Sequence, residues 1–234
     1  MDFILRTFVS ALRLTWGDRT TYWILLRSIY VNGSAVLVSS AIAVPLALLV
    51  DVSRLRFKGV ILTLFQTLTG IPPVVVGLIV YLFLSRDGPL ADLDLLFTKT
   101  AMVIAQVMIA FPIAFTVSHS HFAKVDDRIR LIARTLGAGE VQVALKVLRE
   151  SVGGVVTAIM TAFGRVAGEV GAVMMVGGNI QGRTRIMTTS ILLYTEMGEF
   201  ERAVALGIIL LTIAFLINFT IIYLSGAILR GYEG

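Results

Sequence analysis

Five predominantly apolar stretches, each near the length of a bilayer crossing, constrain this chain more than any other feature. They run from about Ile29 to Val50, Val60 to Leu84, Thr100 to Val117, Val152 to Val176 and Ala203 to Leu229. A helix needs about 20 apolar residues to cross the hydrocarbon core, where its backbone must be satisfied internally. The expectation is an all-α polytopic transmembrane helical bundle of about five spans. Composition agrees, because 57% hydrophobic residues, 15% charged residues and a mean hydropathy of +0.90 leave too little polar surface to cover a water-soluble globule of 234 residues. The net charge of +5 is read as loop cations of a membrane protein, not as a nucleic-acid surface. With no cysteine, disulfides and thiolate metal sites are excluded.

The N-terminal segment differs from the spans. Ile4, Phe8, Ala11 and Leu12 share one helical face and Arg6, Ser10 and Arg13 the other, the pattern of an amphipathic helix lying in the interface or packed against the bundle flank. Arg6 and Arg13 sit inside the apolar stretch rather than before it, so no cleavable signal is read. The organisation expected is one transmembrane domain over 1–234, with an interfacial helix over 1–22 and a core over 23–230.

Charge between spans sets orientation. Arg54, Arg56 and Lys58 follow span one, and Lys124, Arg128, Arg130, Arg134, Lys146 and Arg149 lie between spans three and four. By the positive-inside rule these connections are cytoplasmic. The opposite connections hold fewer cations, and one also holds Asp87, Asp92 and Asp94. Five spans then put the N-terminus outside, although Arg6, Arg13, Arg19 and Arg27 pull the other way.

The connection over 118–151 is the most informative. Between Val125 and Arg149, apolar positions recur at Ile129, Leu131, Ile132 and Leu136; a Gly-Ala-Gly break follows, then Val141, Val143, Leu145 and Val147. This predicts two short helices joined by a turn, a knob suited to dock in a groove of a partner protein. Ala133, Arg134, Thr135, Leu136, Gly137 and Ala138, with Val147 ten residues after Gly137, resemble the ATPase-coupling loop of ABC importer permeases. The family's leading Glu and first Ala fall here on Leu131 and Ile132, and its Leu-Pro ending falls on Arg149 and Glu150. The run from Phe163 to Ile180, Ile71-Pro72-Pro73 with Gly77, and Arg185 to Thr189 are similar to the oxyanion branch of that family, most of all to tungstate-type permeases.

Other residues carry physical signals of their own. Arg165 and Glu169 are ionisable groups inside a span, four residues apart, where an unpaired charge is costly. They suit either a structural ion pair or contact with a passing anion. Gly164, Gly168 and Gly171 suit close helix packing. Met174 and Met175 suit packing or an adaptable constriction. Thr69-Gly70-Ile71-Pro72-Pro73 must kink or break span two, and Thr67 and Thr69 offer neutral hydroxyls beside that break. Ile186 to Tyr194 is too short to span and suits a re-entrant element at the pore mouth, and Arg183 and Arg185 at its start suit anion attraction, contact with a delivering protein or a solvated loop.

Gly178 to Thr184 lacks the spacing and the Lys of a nucleotide loop, and His119 and His121 point apart on a helix, so neither an ATP site nor a metal site is read. No Ser, His and Asp grouping suggests catalysis.

The resemblance therefore implies a pore-forming subunit rather than an enzyme, binding no cofactor itself. ATP and magnesium would sit on a partner. The implied assembly holds an identical permease chain, a cytoplasmic ABC ATPase dimer and an external solute-binding protein, in a bacterial or archaeal cytoplasmic membrane. It would import an oxyanion by alternating access, tungstate foremost, with molybdate or sulfate as alternatives. Thr69, Pro72, Pro73, Arg165, Glu169, Met174, Met175 and Asn179 are its pore or gate candidates. An ion-coupled secondary transporter is a remoter alternative, needing a coupling site but no docking loop.

Overall fold

A computed structural model describes residues 19–53 and 55–230, and among them all regular structure is helical. The helices are α1 (Arg19–Val52), α2 (Lys58–Leu68), α3 (Pro73–Leu84), α4 (Lys99–Phe122), α5 (Asp127–Thr135), α6 (Glu140–Glu150), α7 (Val152–Ala167), α8 (Gly171–Gly177), α9 (Met187–Glu196) and α10 (Phe200–Arg230), with one 3₁₀ turn at Ala91–Leu93. Helices α1, α4 and α10 are long and apolar enough to cross a membrane alone. Two bent pairs, α2 with α3 and α7 with α8, supply the other two crossings if each is counted as one span.

Helix α1 is about 51 Å long at 1.5 Å per residue, well beyond the hydrocarbon core. It starts ten residues before the expected span, so Arg19 to Tyr22 form its first turn. The rest of the expected interfacial helix lies outside the described residues. Small side chains explain the principal contact of the bundle. Ala35, Ser39, Ala43 and Ala47 on α1 and Ala101, Ala105, Ala110 and Ala114 on α4 are buried, letting the two backbones approach closely. Ser28 and Ser39 return their hydroxyls to carbonyls of their own helix, so neither is a free donor.

The two broken spans depart from continuous rods for different reasons. Between α2 and α3 the chain turns by 98°. Pro72 and Pro73 lack amide hydrogens, and Pro73 opens α3 where that loss is harmless. Between α7 and α8 the bend is 63°, over Gly168, Glu169 and Val170. The continuous span expected over Val152 to Val176 is thus interrupted with no proline present. Of the three glycines expected to permit close packing, only Gly171 meets a neighbour, Val74 on α3. Gly164 and Gly168 face open space within the chain.

Helices α3 and α8 pack against each other, and both pack on α4. The last helix, α10, leans on α7 and α9. Leu211, Phe215, Leu216, Phe219 and Tyr223 on its outer side stay exposed. The short apolar stretch after Arg185 is α9, whose first turn, Met187 to Ser190, is buried.

Candidate functional site: an exposed helix pair and a cavity between broken spans

The connection over 118–151 folds as two short helices at one end of the bundle. Asp126 caps α5 by accepting from the Arg128 amide at 2.9 Å. At the far end Gly137 has φ +82°, the Gly137 amide donates to the Arg134 carbonyl, and the Ala138 amide donates to the Ala133 carbonyl. That pair of bonds is the Schellman motif, which requires a left-handed residue and explains glycine here. Arg134 then grips Glu140 at the start of α6 with two parallel bonds, 3.1 and 3.0 Å. The hydrogen bond, and next the charge, of Glu140 raise the Arg134 guanidinium above its ordinary value. The angle between the two helices is fixed by these contacts.

Burial divides the pair. Val143, Ala144 and Val147 anchor α6 in the core, whereas no residue of α5 is fully buried. Leu131, Ile132, Leu136 and Val141 are exposed at 57–82%. Of the residues singled out in this loop, Val147 is therefore part of the anchor, and Ala133 to Ala138 belong to the projecting part.

The second feature is an open recess on the side of the bundle. A cavity of about 550 Å³ opens between the α2–α3 break, α4 and α7. Its wall is apolar, built from Phe65, Ile71, Val75, Met108 and Phe111 among others, with Thr69, Pro72 and Arg165 also on it. Arg165 Nη1 donates to Glu169 Oε2 at 3.0 Å. The pair does not ride on one continuous helical face as expected, since α7 ends at Ala167 and Glu169 belongs to the break. Glu169 is 6% exposed. Its Oε1 also accepts from the Ala172 amide, and its carbonyl accepts from the Thr188 hydroxyl at 3.0 Å. One carboxylate thus neutralises Arg165 and caps α8.

The hydroxyl protons of Thr67 and Thr69 are already committed, to the Thr63 and Gln66 carbonyls at 2.8 and 2.7 Å. These residues satisfy the backbone of α2 and are not free donors to a solute. Pro73 starts α3. Met174 and Met175 are half-buried on α8, outside the cavity lining. Asn179 lies at the other end of the bundle in a left-handed conformation, φ +49°, with its side-chain oxygen accepting from Arg185 Nε at 3.3 Å. Arg185 is tied back to that loop, whereas Arg183 is exposed.

Two groups went unnoticed in the sequence. Gln106, fully buried on α4, donates to the Val166 carbonyl at 3.2 Å and to Asn32 Oδ1 at 3.4 Å, so it satisfies the last turn of α7 beside the break. Asp51 closes α1 and meets cations from α2 and α5. Polar residues in the middle or at the end of apolar runs were the available signal in both cases.

The profile of the "Binding-protein-dependent transport system inner membrane component" family matches residues 41–230. The chain belongs to this family. As a member of that transport family it is a multi-pass permease component of an ABC import system in the inner membrane. It is similar to the tungstate uptake system permease protein TupB of Peptoclostridium acidaminophilum, 39% identical over 219 residues, covering 93% of this chain and 96% of that one. It is also similar to a probable anion ABC transporter permease of Haloferax volcanii, 40% identical over 82% of this chain and 84% of that one. The molybdenum transport system permease ModB of Azotobacter vinelandii is 28% identical over 77% of this chain and 83% of that one. The fold matches a chain of a bacterial ABC transporter involved in import of the acidic polysaccharide alginate, with TM-score 0.73 at 16% identity over 97% of this chain and 89% of that one.

Proposed function

We propose that two copies of this chain enclose the translocation path of a tungstate importer, and that a pair of separate ATPase subunits grips α5 and the turn at Gly137. The observation that carries the reading is the projecting helix pair. It is rigid through its caps and its Arg134–Glu140 grip, apolar where it is exposed, and anchored by Val147. A surface of that kind fits a groove in a partner. ATP and magnesium belong to that partner, and an external solute-binding protein delivers the anion. The Arg19 end of α1 then faces outside, since α1 ends beside the gripped helices, and this fits an external N-terminus.

The anion passes the cavity at the α2–α3 break. Thr69 and Pro72 shape its wall, Pro73 sets the start of α3 behind it, and Arg165, paired with Glu169, offers a weak positive contact. A weak contact suits a solute that must leave again. Met174 and Met175 on α8 form an adaptable constriction beside α3, and Asn179 shapes the far mouth through Arg185. Gly164 and Gly168, open within the chain, provide a close-packing face for the second copy. The energy that shifts inward- and outward-open states comes from differential nucleotide binding on the ATPase.

The decisive experiment is uptake by the reconstituted complex with tungstate, molybdate and sulfate in competition. ATP-dependent tungstate uptake, displaced least by sulfate, is the expected result. Preference for molybdate would reassign the anion, and uptake driven by an ion gradient without the ATPase would overturn the reading. Gly137→Val should lower ATPase co-purification or uptake at least fivefold with membrane insertion unchanged. A β-branched residue forced to φ +82° costs about 1–2 kcal/mol and disturbs the Schellman turn. Normal co-purification and uptake would remove the docking role.

A further inference from the structure

No residue of α5 is fully buried, so whatever moves it must act on the spans through a small number of attachments. One of these is α6. The other is a polar junction formed where α1, α2, α4 and α5 converge. Asp51, in the last turn of α1, has a side chain only 4% exposed. Arg130 of α5 reaches it with an Nη2–Oδ2 contact of 2.7 Å. The same guanidinium donates to the Phe122 carbonyl at 2.7 Å and the Val125 carbonyl at 2.8 Å, where α4 ends, and to Asp127 at 2.8 Å. Lys58, first residue of α2, donates to the Asp51 carbonyl at 2.8 Å and lies 3.8 Å from its carboxylate.

From beside this junction a line of rings leads to the cavity. His119 Nε2 lies 3.9 Å from Asp51 Oδ1. Its ring stacks on Phe115, with centroids 6.4 Å apart. Phe115 packs on Phe65 of α2 at 4.1 Å, and Phe65 meets Phe111 at 5.5 Å. Phe65 and Phe111 are themselves wall residues of the cavity. Helix α2 runs in parallel with this stack, from Lys58 at the junction to the break at Thr69. Stiff rings and a short helix can carry displacement over such a distance because packed side chains do not compress.

We propose that the Asp51–Arg130 junction is the linkage by which motion of α5 is transmitted to the cavity wall. The proposal rests on the reading of α5 as the segment gripped by the ATPase. Asp51 and Arg130 touch no solute; they are positioning residues that make α5, the end of α4 and the start of α2 move as one body. Arginine is required at 130 because a planar fork can hold a carboxylate and two carbonyls together, which a lysine ammonium cannot match in geometry.

The test uses the reconstituted permease–ATPase complex carrying Asp51→Asn or Arg130→Lys, with Asp51→Glu as the conservative variant. Asp51→Asn and Arg130→Lys are expected to retain ATPase co-purification and hydrolysis within about twofold while uptake per ATP falls at least tenfold; Asp51→Glu keeps at least half the uptake. Wild-type uptake per ATP in both variants overturns the proposal, and so does loss of ATPase binding, which would make the junction a mere support of the docking helix. A second measurement needs no ATPase. The chain has no cysteine, so spin labels at Thr67→Cys and Arg128→Cys report the distance between α2 and α5 in the permease alone. The distance distribution should broaden on Asp51→Asn, and an unchanged distribution overturns the linkage. Failure of the permease reading shows differently, as absence of ATP-dependent uptake in the unaltered complex.

Discussion

Glu169→Ala is expected to lower permease stability by about 2–3 kcal/mol and to reduce uptake at least tenfold, the first effect following from the buried pair that it breaks. Removal of one partner from a buried ion pair typically costs about 3–5 kcal/mol. The lower figure applies because the Arg165 side chain is 37% exposed and keeps some hydration. The same substitution deprives the Ala172 amide of its acceptor and so uncaps α8. Glu169→Gln keeps that acceptor and the shape of the side chain but removes the charge, so it should fall between the two. Thermal unfolding in detergent and uptake by proteoliposomes measure the two effects separately. Unchanged stability and uptake in Glu169→Ala would mean that the carboxylate neither neutralises Arg165 nor holds the break.

Gly77→Ala should be as damaging, for a steric reason. A Cβ at Gly77 would lie 2.7 Å from the Cα of Ala172 and 3.2 Å from its carbonyl oxygen. The obstacle is backbone, so no rotamer change relieves it, and α3 must separate from α8. Overpacking of this kind costs about 1–3 kcal/mol, and the rigid neighbour puts this site at the upper end. Gly164→Ala is the contrast, because its Cβ meets nothing within 4 Å in the chain. There the gain in helix propensity, about 0.5–1 kcal/mol, should dominate in a single chain kept apart from its second copy. Melting temperatures of the two variants in the same detergent should move in opposite directions. Equal shifts would contradict the close approach of α3 and α8.

The parts of the architecture that sequence made visible are those with a local cause. A run of about 20 apolar residues has few alternatives to a membrane helix, and Pro72-Pro73 announces its break by the chemistry of two residues. The paired short helices were legible because their apolar periodicity stops at Gly137 and restarts after Gly139. The second break carries no such mark. Gly168 permits it, but its backbone is satisfied by Glu169, by Thr188 nineteen residues on and by Gln106 sixty residues back. Likewise Asp51 and Arg130 stand 79 positions apart, and no spacing rule joins them. Arg165 and Glu169 were found as a pair by their four-residue separation, yet the helix assumed to carry both ends between them. The hydroxyls of Thr67 and Thr69 looked available only because the carbonyls they satisfy are invisible until the helix has a shape.

Helix α10 has a protein neighbour on one side and a row of aromatic rings on the other, Phe215, Phe219 and Tyr223, stacked on each other at 6.2 and 6.5 Å and facing away from the bundle. No described helix covers that row, so α10 is held by the bundle along one face only, and its neighbour in the membrane, acyl chains or the second copy, completes its support.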